Sequence, residues 1–225
     1  GSALNPLMKV GEQIEEVLKI HYNFDNDKRE DLVYRTMENV GLKDVENLYN
    51  KYPHQLSGGM QQRIVISIAL IANPNVLIAD EPTTALDAKV QSQIIDLFKD
   101  LGHIYNGAIL FISHDLNLIE RICKDVMIMY AGRLVEKGKT EDLVRNPLHP
   151  YTKALLKAVP NYKKRGEDLY NIRGHVPDLK NRSNEGCPFA DRCDNTMDIC
   201  TKVFPEIYDQ DGHRVYCHLY GGKNG

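Results

Sequence analysis

The sequence is poor in the features that mark membrane-spanning, secreted and nucleic-acid-binding chains. It has no tryptophan, and no apolar run approaches the roughly 18 residues that a transmembrane helix needs. No charged and then apolar leader is visible, so we expect no secretion signal. The 28 basic and 31 acidic side chains nearly balance, with a net charge of −3, so no basic field points to nucleic acid as a partner.

What is present is ordinary for a globular protein, apart from the placement of the cysteines. Hydrophobic residues make up 42% and charged residues 26% of the 225 positions, enough for one large or two small domains. Of the five cysteines, Cys123 stands alone in an apolar context, and the other four lie within residues 187–217. In a chain without a secretion signal, such a cluster is more typical of a metal site than of disulfides.

Hydrophobic spacing predicts helices that alternate with strands. Residues 7–50 have a helical pattern, and a further helix is predicted from Gly59 to Ile71, with Ser57 as its N-cap. Two short apolar runs, Val76–Ala79 and Ala108–Ile112, predict strands that are buried on both faces. The alternation indicates an α/β fold with a largely parallel sheet.

The pattern divides the chain into three predicted parts. Residues 1–55 form a helical subdomain, residues 56–138 the α/β core, and residues 139–225 a small Cys-rich C-terminal extension. Residues 126–136 predict a hairpin or sheet edge at the end of the core. Because the extension has few apolar runs, it needs a cross-link or a bound metal to fold stably. The clustered cysteines are the obvious candidate for such a site.

The start of the predicted helix after Leu56 has the chemistry of a phosphate site. Backbone N–H groups are unpaired at a helix N-terminus, where the helix dipole is positive. Gly58 and Gly59 let a ligand approach the backbone, and the Ser57 hydroxyl adds a donor. A plain N-capped helix is the simpler interpretation of Ser-Gly-Gly taken alone.

Carboxylates and a histidine follow the two predicted strands. Asp80 and Glu81 end the first strand, at the sheet edge where ligands gather in open α/β folds. An Asp there suits Mg²⁺, and a neighbouring Glu can orient and deprotonate a water. His114 ends the second strand and can reach a phosphate or position the attacking water. Taken singly, the acidic pair is well explained by a solvated turn, and a structural hydrogen bond is the safer interpretation of the histidine.

Four motifs occur together in a fixed order over roughly residues 4–137. They are Leu56–Gln61 (Leu-Ser-Gly-Gly-Met-Gln), the strand Val76–Glu81, Ala85–Asp87 (Ala-Leu-Asp) and His114. In this order and spacing the chain resembles the ATPase subunits of ABC transporters. The segments match the signature motif, Walker B strand, D-loop and switch histidine of that family. The resemblance implies an ABC-type nucleotide-binding domain, present here in part.

The resemblance implies ATP and Mg²⁺ as cofactors and a role for each matched residue. Asp80 would help to hold Mg²⁺, Glu81 would be the catalytic base, and His114 would sense the γ-phosphate. The family works as a head-to-tail dimer, so the signature helix would close over ATP bound on a second ABC ATPase subunit. The residues implied for that interface are Ser57, Gly58, Gly59, Gln61 and Asp87.

One motif of the family is missing from these residues. The P-loop pattern G-x-x-x-x-G-K-[ST] occurs nowhere in the 225 positions, and without its backbone cradle and lysine there is no primary phosphate site. Ser2–Pro6 is similar to the stretch that follows the family's Q-loop glutamine. We therefore expect a C-terminal fragment of a longer ATPase, which alone neither binds ATP tightly nor hydrolyses it.

The tail carries a second resemblance, over residues 146–218. Asn146–Thr152 and Gly186–Cys193 resemble the C-terminal extension of the ATPase subunits of oligopeptide, dipeptide and nickel importers. The resemblance implies uptake of peptides or nickel powered by ATP hydrolysis, and the sequence leaves the cargo open. It implies two transmembrane permease subunits and an external solute-binding protein as partners. It also implies a peripheral position on the cytoplasmic side of the cell membrane.

The clustered cysteines have the spacing C-x5-C-x6-C-x16-C, at Cys187, Cys193, Cys200 and Cys217. Four thiolates can bind a [4Fe–4S] cluster or Zn²⁺, and gaps wider than the usual paired zinc ligands favour the cluster. His213 and His218 would complete a zinc site, and four reduced thiols in a small core are the simpler alternative. The corresponding alternative function is a metal- or cluster-binding regulatory module attached to a catalytically silent half of an ABC ATPase.

Overall fold

The computed structural model describes residues 3–84, 86–159, 170–176 and 185–221. The chain forms two compact units, Gly1–His114 and Asp115–Gly225. Ala85, from the predicted D-loop, lies outside the described residues. The three-part division at residues 55 and 138 stays a prediction.

The first unit is a helical bundle followed by a small α/β layer. Its elements in chain order are α1 (Val10–His21), α2 (Asn26–Asn39), α3 (Val45–Tyr49), a 3-10 turn (Pro53–Gln55), α4 (Gly58–Leu70), β1 (Val76–Asp80), α5 (Ala88–Ile104) and β2 (Ala108–Ile112). The helices predicted within residues 7–50 and after Ser57 are thereby confirmed. Gly41 follows α2 with a φ of 77°, a left-handed conformation that suits glycine at a helix end.

A buried carboxylate ties the helical bundle together. The Glu15 side chain accepts hydrogen bonds from Lys19 Nζ (2.8 Å), Arg29 Nε (2.9 Å) and the Tyr49 hydroxyl (3.0 Å). Burial by itself raises the pKa of Glu15, but these hydrogen bonds together lower it below its ordinary value. The carboxylate therefore stays charged and joins α1, α2 and α3. Close packing accompanies it, since a Cβ at Gly11 would lie 2.1 Å from Cδ2 of Tyr49.

Strands β1 and β2 pair in parallel, from Val76 opposite Ala108 to Asp80 opposite Ile112. The prediction that both strands are buried on both faces is wrong. Helix α5 packs on one face, where the rings of Phe98 and Phe111 meet edge to face at 5.3 Å. On the other face apolar side chains are exposed, 62% of Ile78 among them. Among the described residues, only one face of this strand pair is covered.

The second unit is built on an antiparallel sheet. Its elements are α6 (Leu116–Ile122), β3 (Asp125–Tyr130), β4 (Arg133–Lys139), α7 (Thr140–Arg145), α8 (Pro150–Ala158), 3-10 turns at Ala190–Arg192 and Asp198–Thr201, β5 (Ile207–Gln210) and β6 (His213–Tyr216). The strand order is β3-β4-β6-β5, and every neighbouring pair is antiparallel. The expectation of a largely parallel sheet is therefore corrected: in the described part of the chain, β1 and β2 alone pair in parallel.

A two-residue turn sets the antiparallel pairing of β3 and β4. Ala131 and Gly132 connect β3 to β4 and both have positive φ, 46° and 77°, as a tight two-residue turn between antiparallel strands requires. The hairpin or sheet edge predicted over residues 126–136 is thus confirmed. The two strands added by β5 and β6 come from the Cys-rich tail, in which the sequence showed no strand pattern.

Candidate functional site

Glu81 stands directly after β1, at the carboxyl end of the parallel strand pair. Its φ is 47°, a left-handed conformation that non-glycine residues rarely adopt, and its N–H donates to the Ile112 carbonyl at 3.0 Å. The bond extends the β1–β2 pairing by one residue while the chain turns away. Such local strain is typical of functional sites, and here it aims the Glu81 side chain along the sheet edge.

The structure brings two of the predicted site residues, Glu81 and His114, together. His114 Nδ1 lies 2.7 Å from Glu81 Oε1, and the His114 backbone N–H donates to the same oxygen at 3.0 Å. The Thr84 hydroxyl donates to the other carboxylate oxygen, Oε2, at 3.1 Å. The hydrogen bond from the His114 side chain is the main reason why the pKa of Glu81 is lowered. Glu81 therefore carries its charge at neutral pH, as a proton acceptor must.

Asp80, predicted to help hold Mg²⁺, is exposed at the last position of β1. Its neighbour across the strand pair is Ile112. Because successive side chains of a strand point to opposite faces, Asp80 shares a face with the exposed Ile78. A carboxylate at this edge is open to a cation from solvent.

The signature segment begins a helix, as predicted. Ser57 is the N-cap of α4, and its Oγ accepts from the Met60 N–H at 3.3 Å. A Cβ at Gly59 would lie 2.8 Å from Cγ1 of Val90, so glycine lets α4 approach α5 closely. Ser57 and Gly58 are exposed, which leaves the helix N-terminus open to a ligand.

Two other predicted interface residues have local partners. Gln61 Nε2 donates to the carbonyls of Pro53 (2.9 Å) and Leu56 (3.3 Å), and so fixes the turn that leads into the signature segment. Asp87 is the N-cap of α5 and accepts from the N–H groups of Lys89 and Val90, each at 3.0 Å. Both contacts shape the backbone, and neither tests the predicted role at a dimer interface.

The four clustered cysteines line one small cavity, with room for about one water molecule (about 10 Å³). All four are free thiols. Burial raises the pKa of Cys187 and Cys193, and raises that of Cys217 to about 11. The Cys187 N–H donates to the Cys200 carbonyl at 2.7 Å, which joins two of the segments that carry them. Cys123, which the sequence suggests is a buried small apolar residue, is only partly buried.

A histidine that the sequence did not single out also lines this cavity. His149 is 1% exposed and is the N-cap of α8, where its Nδ1 accepts from the Tyr151 N–H at 3.0 Å. Its Nε2 is buried and has no hydrogen-bond partner among the residues that the structure describes. The sequence placed His149 only within the segment Asn146–Thr152 that resembles the importer extension, and no local pattern there predicts that its side chain is buried.

Comparison with known proteins identifies both parts of the chain. The profile of the family "ABC transporter" matches residues 2–84, and that of "Oligopeptide/dipeptide transporter, C-terminal region" matches residues 135–200. The dipeptide transport ATP-binding protein DppD of Bacillus subtilis is 43% identical over 97% of this chain and 65% of its own length. The oligopeptide transport ATP-binding protein AppD of the same organism is 42% identical, over 97% of this chain and 67% of its own length.

The chain belongs to the ABC transporter ATP-binding proteins. Within them it has the C-terminal region of the oligopeptide/dipeptide type. OppD of Escherichia coli is 44% identical over 91% of this chain and 60% of its own length. This ABC ATP-binding protein thus spans about 60 to 67% of the length of these relatives.

Solved structures agree on the α/β ABC ATPase-like fold. A dimeric ATP-binding cassette in a post-hydrolysis state, bound to ADP and Pi, aligns with a TM-score of 0.53 and 29% identity, over 61% of this chain and 59% of that one. An inward-facing metal-chelate type ABC transporter aligns with a TM-score of 0.58 at 22% identity, over 69% of this chain and 60% of that one, and this likeness concerns the fold alone. In the described part of this ABC ATP-binding protein, no helix is both long and apolar enough to cross a membrane.

The predictions of nickel, zinc and an iron–sulfur cluster gain no support. The relatives named above are peptide transport proteins by their names. Among the described residues, no three of the His, Cys, Asp and Glu side chains lie close enough together to hold a metal ion. The two histidines considered for zinc each have Nε2 bonded elsewhere, His213 to Glu136 and His218 to the Val203 carbonyl, both at 2.8 Å. Only the donor type and the shared cavity fit a thiolate-bound metal.

Proposed function

We propose that this chain is part of the ATP-binding subunit of an ABC importer that takes up di- or oligopeptides. The contact of Glu81 with His114 at the carboxyl end of β1 and β2 carries the proposal, because it joins the two residues that hydrolysis requires. The similarity to DppD, AppD and OppD supports peptides as the cargo.

In this proposal Glu81 is the catalytic base. Its lowered pKa keeps it charged, so it can accept the proton of the attacking water when it leaves His114. His114 is 84% exposed and linked to Glu81 at 2.7 Å, so its ring can turn toward a γ-phosphate. ATP supplies the phosphoryl group, and Mg²⁺ neutralises charge on the phosphates. Asp80, exposed at the same strand end, would hold the Mg²⁺.

The signature helix would act on ATP held by a second ABC ATPase subunit. Ser57 and Gly58 are exposed at the N-terminus of α4, where unpaired N–H groups attract anions. Gln61 would keep the preceding turn in place through its bonds to Pro53 and Leu56. Asp87 would fix the start of α5 beside that interface.

The remaining partners and the location follow from the same family. We place two transmembrane permease subunits and an external solute-binding protein in the complex. The chain would lie on the cytoplasmic side of the membrane as a peripheral subunit. The helical bundle, whose Leu7 is 84% exposed and Ile20 70% exposed, offers apolar surface for a permease contact.

Uptake by cells tests the proposal. The gene is replaced by one that carries Glu81→Gln, and uptake of a radiolabelled tripeptide and of nickel is measured. Peptide uptake should fall at least about 100-fold, since the base is lost and the shape is kept, while nickel uptake should not change. The matched control is Glu38→Gln, which alters an exposed glutamate on α2. Peptide uptake that survives Glu81→Gln would contradict the proposal, and loss of nickel uptake would assign the other cargo.

A second test concerns the 225 residues alone, which contain no P-loop pattern. Because the main phosphate cradle is absent from them, the purified chain should show no Mg²⁺-dependent release of phosphate above that of its own Glu81→Gln variant. Turnover that requires Glu81 would show that these residues bind ATP by themselves.

A second candidate function is a thiolate-bound metal centre in the extension, as part of a regulatory module. It rests on the one cavity shared by Cys187, Cys193, Cys200 and Cys217. Bound metal would have to draw the sulfurs together, because they are not at ligand distance from one another. Protein purified without oxygen should then be brown with stoichiometric iron and sulfide, or colourless with stoichiometric zinc. Metal-free protein with four titratable clustered thiols would refute this candidate.

A further inference from the structure

Thr84 contacts the proposed base, and no role has yet been given to it. Its hydroxyl donates to Oε2 of Glu81 at 3.1 Å, although Thr84 is exposed and water could accept the same proton. A side chain that touches the carboxylate of a general base can affect the rate of proton transfer through the geometry of that base. The inference that follows rests on the function proposed above, in which Glu81 is the base.

A tight turn explains why Thr84 reaches back to Glu81. The Thr84 N–H donates to the Glu81 carbonyl at 3.2 Å, which closes a four-residue turn with Pro82 at its second position. Pro82 and Thr83, the two central residues, are buried, so the turn is anchored in the protein. The ring of Pro82 also fixes its own φ. The turn therefore holds the Thr84 side chain beside the carboxylate of the residue that begins it.

The contacts of Glu81 are divided between its two carboxylate oxygens. Oε1 accepts from the His114 N–H at 3.0 Å and lies 2.7 Å from His114 Nδ1, whereas Oε2 accepts from Thr84. A glutamate held at one oxygen can still rotate about its last side-chain bond, where the torsional preference is broad. Contacts to both oxygens fix the plane of the carboxylate. Thr84 supplies the contact to Oε2 that this requires.

The division becomes important when the His114 ring moves. In the proposed mechanism the ring turns toward the γ-phosphate, and Glu81 then loses the contact of 2.7 Å. The His114 N–H belongs to the main chain and still holds Oε1, while the Thr84 hydroxyl still holds Oε2. The carboxylate keeps its plane, and a lone pair on Oε1 becomes available for the proton of the attacking water.

We infer that Thr84 is a positioning residue for the proposed base, and that its hydroxyl orients the Glu81 carboxylate while the His114 ring is turned away. The effect is on the rate of hydrolysis and not on the binding of ATP, because the bond holds the base and not the nucleotide.

The simpler alternative is that the Thr84 hydroxyl only stabilises the turn. Its loss would then change the backbone after β1, and would lower activity whether or not the base is present. The two explanations therefore differ in the background of Glu81→Gln. A residue that acts through the base has nothing to position once the base is gone, whereas a residue that acts on the backbone keeps its effect.

ATP hydrolysis by the complete gene product, purified in its transporter complex, separates the two explanations. Thr84→Val removes the hydroxyl and keeps the branched shape, and Thr84→Ser keeps the hydroxyl. Thr201→Val is the matched control, because Thr201 is also exposed and its hydroxyl also donates at 3.1 Å, to the Asp198 carbonyl in the second unit. The kcat and the KM for ATP are measured for each variant.

Thr84→Val should lower kcat about 10-fold with the KM for ATP unchanged. Thr84→Ser should restore most of the lost rate, and Thr201→Val should have no effect. In a single turnover of ATP, Thr84→Val should cause no further loss when Glu81→Gln is already present.

Three outcomes contradict these expectations. An unchanged kcat in Thr84→Val, or a loss that persists in the background of Glu81→Gln, overturns the role of Thr84. The proposed function stands in both cases, provided that Glu81→Gln itself is slow. Full turnover by Glu81→Gln overturns the proposed base and the role of Thr84 together.

A measurement on the 225 residues covers the case in which Thr84→Val fails to assemble. An exposed threonine without a partner samples more than one χ1 rotamer, whereas one that is bound to Glu81 keeps a single rotamer. The three-bond NMR couplings of Thr84 should therefore report one rotamer in the unchanged chain and averaging in Glu81→Ala. Averaged couplings in the unchanged chain, or a single rotamer that survives Glu81→Ala, would overturn the inference.

Discussion

Two carboxylate–histidine pairs among the described residues have nearly equal length but very different surroundings. Glu81 and His114 meet at 2.7 Å, with 34% and 84% of their side chains exposed. Glu136 and His213 meet at 2.8 Å, with 0% and 12% exposed. The exposed pair can separate at little cost because water replaces each partner, whereas the buried pair cannot. Contacts of nearly equal length therefore have different roles. The Glu81–His114 pair is available for chemistry, and the Glu136–His213 pair stabilises the extension.

The largest expected effect is on the buried pair. Glu136→Ala leaves the N–H groups of Leu148 and His149 and the ring of His213 without their acceptor, so the free energy of unfolding should fall by about 3–5 kcal/mol. Urea unfolding followed by circular dichroism measures the change. Glu141→Ala is the matched control, because it removes an exposed carboxylate paired with Arg145 and should cost less than about 1 kcal/mol. An equal loss of unfolding free energy in both variants would refute the contrast between the buried and the exposed carboxylate.

The two histidines provide a second, smaller test. His213→Ala leaves a buried Glu136 carboxylate with its two backbone donors, and should lower the free energy of unfolding by about 1–3 kcal/mol. His114→Ala breaks the exposed pair and should cost about 0–1 kcal/mol. The same urea experiment compares them. The distinction between the pairs fails if His114→Ala proves the more destabilising.

The smallest expected effect is the acid titration of Glu81. Its pKa in the folded chain is lowered, chiefly by the hydrogen bond from His114. The stability that the pair contributes is therefore fully present above the ordinary carboxyl pKa of about 4.5, and is lost as the pH falls through the lower, folded value. Carbon NMR of the Glu81 carboxyl should show a midpoint below about 4.5 that rises in His114→Ala. An unchanged midpoint in that variant would assign the shift to another group.

Much of the first unit could be predicted from local sequence. Helix α4 begins where Ser57 caps it, and Gly41 takes the left-handed conformation expected after a helix. In the second unit, the turn at Ala131 and Gly132 likewise accounts for the predicted hairpin. Glu81 and His114 could be paired because both follow strands whose carboxyl ends meet at one edge. Each of these predictions depends on a helix cap, a turn or a hydrophobic repeat, all of which are local features of a few residues.

Other features could not be predicted because they depend on contacts between distant positions. Glu136 and His213 are separated by 77 positions, and a glutamate in β4 looks like any polar residue of a sheet edge. The strands β5 and β6 extend that sheet from a tail whose composition suggested none. Thr84 also escaped notice, although its hydroxyl holds Glu81. Local patterns carry no information on which distant donor will meet a given acceptor.

The sequence by itself determined the family, the start of α4, the hairpin and the residues proposed for ATP hydrolysis, because these follow from short motifs and local backbone preferences. The tertiary structure alone decided that the sheet of the second unit is antiparallel, that Glu136 is buried against His213, and that His149 shares a cavity with four cysteines. The physical reason is burial. Which polar atoms lose water, and which of them find a partner, depends on how the whole chain packs.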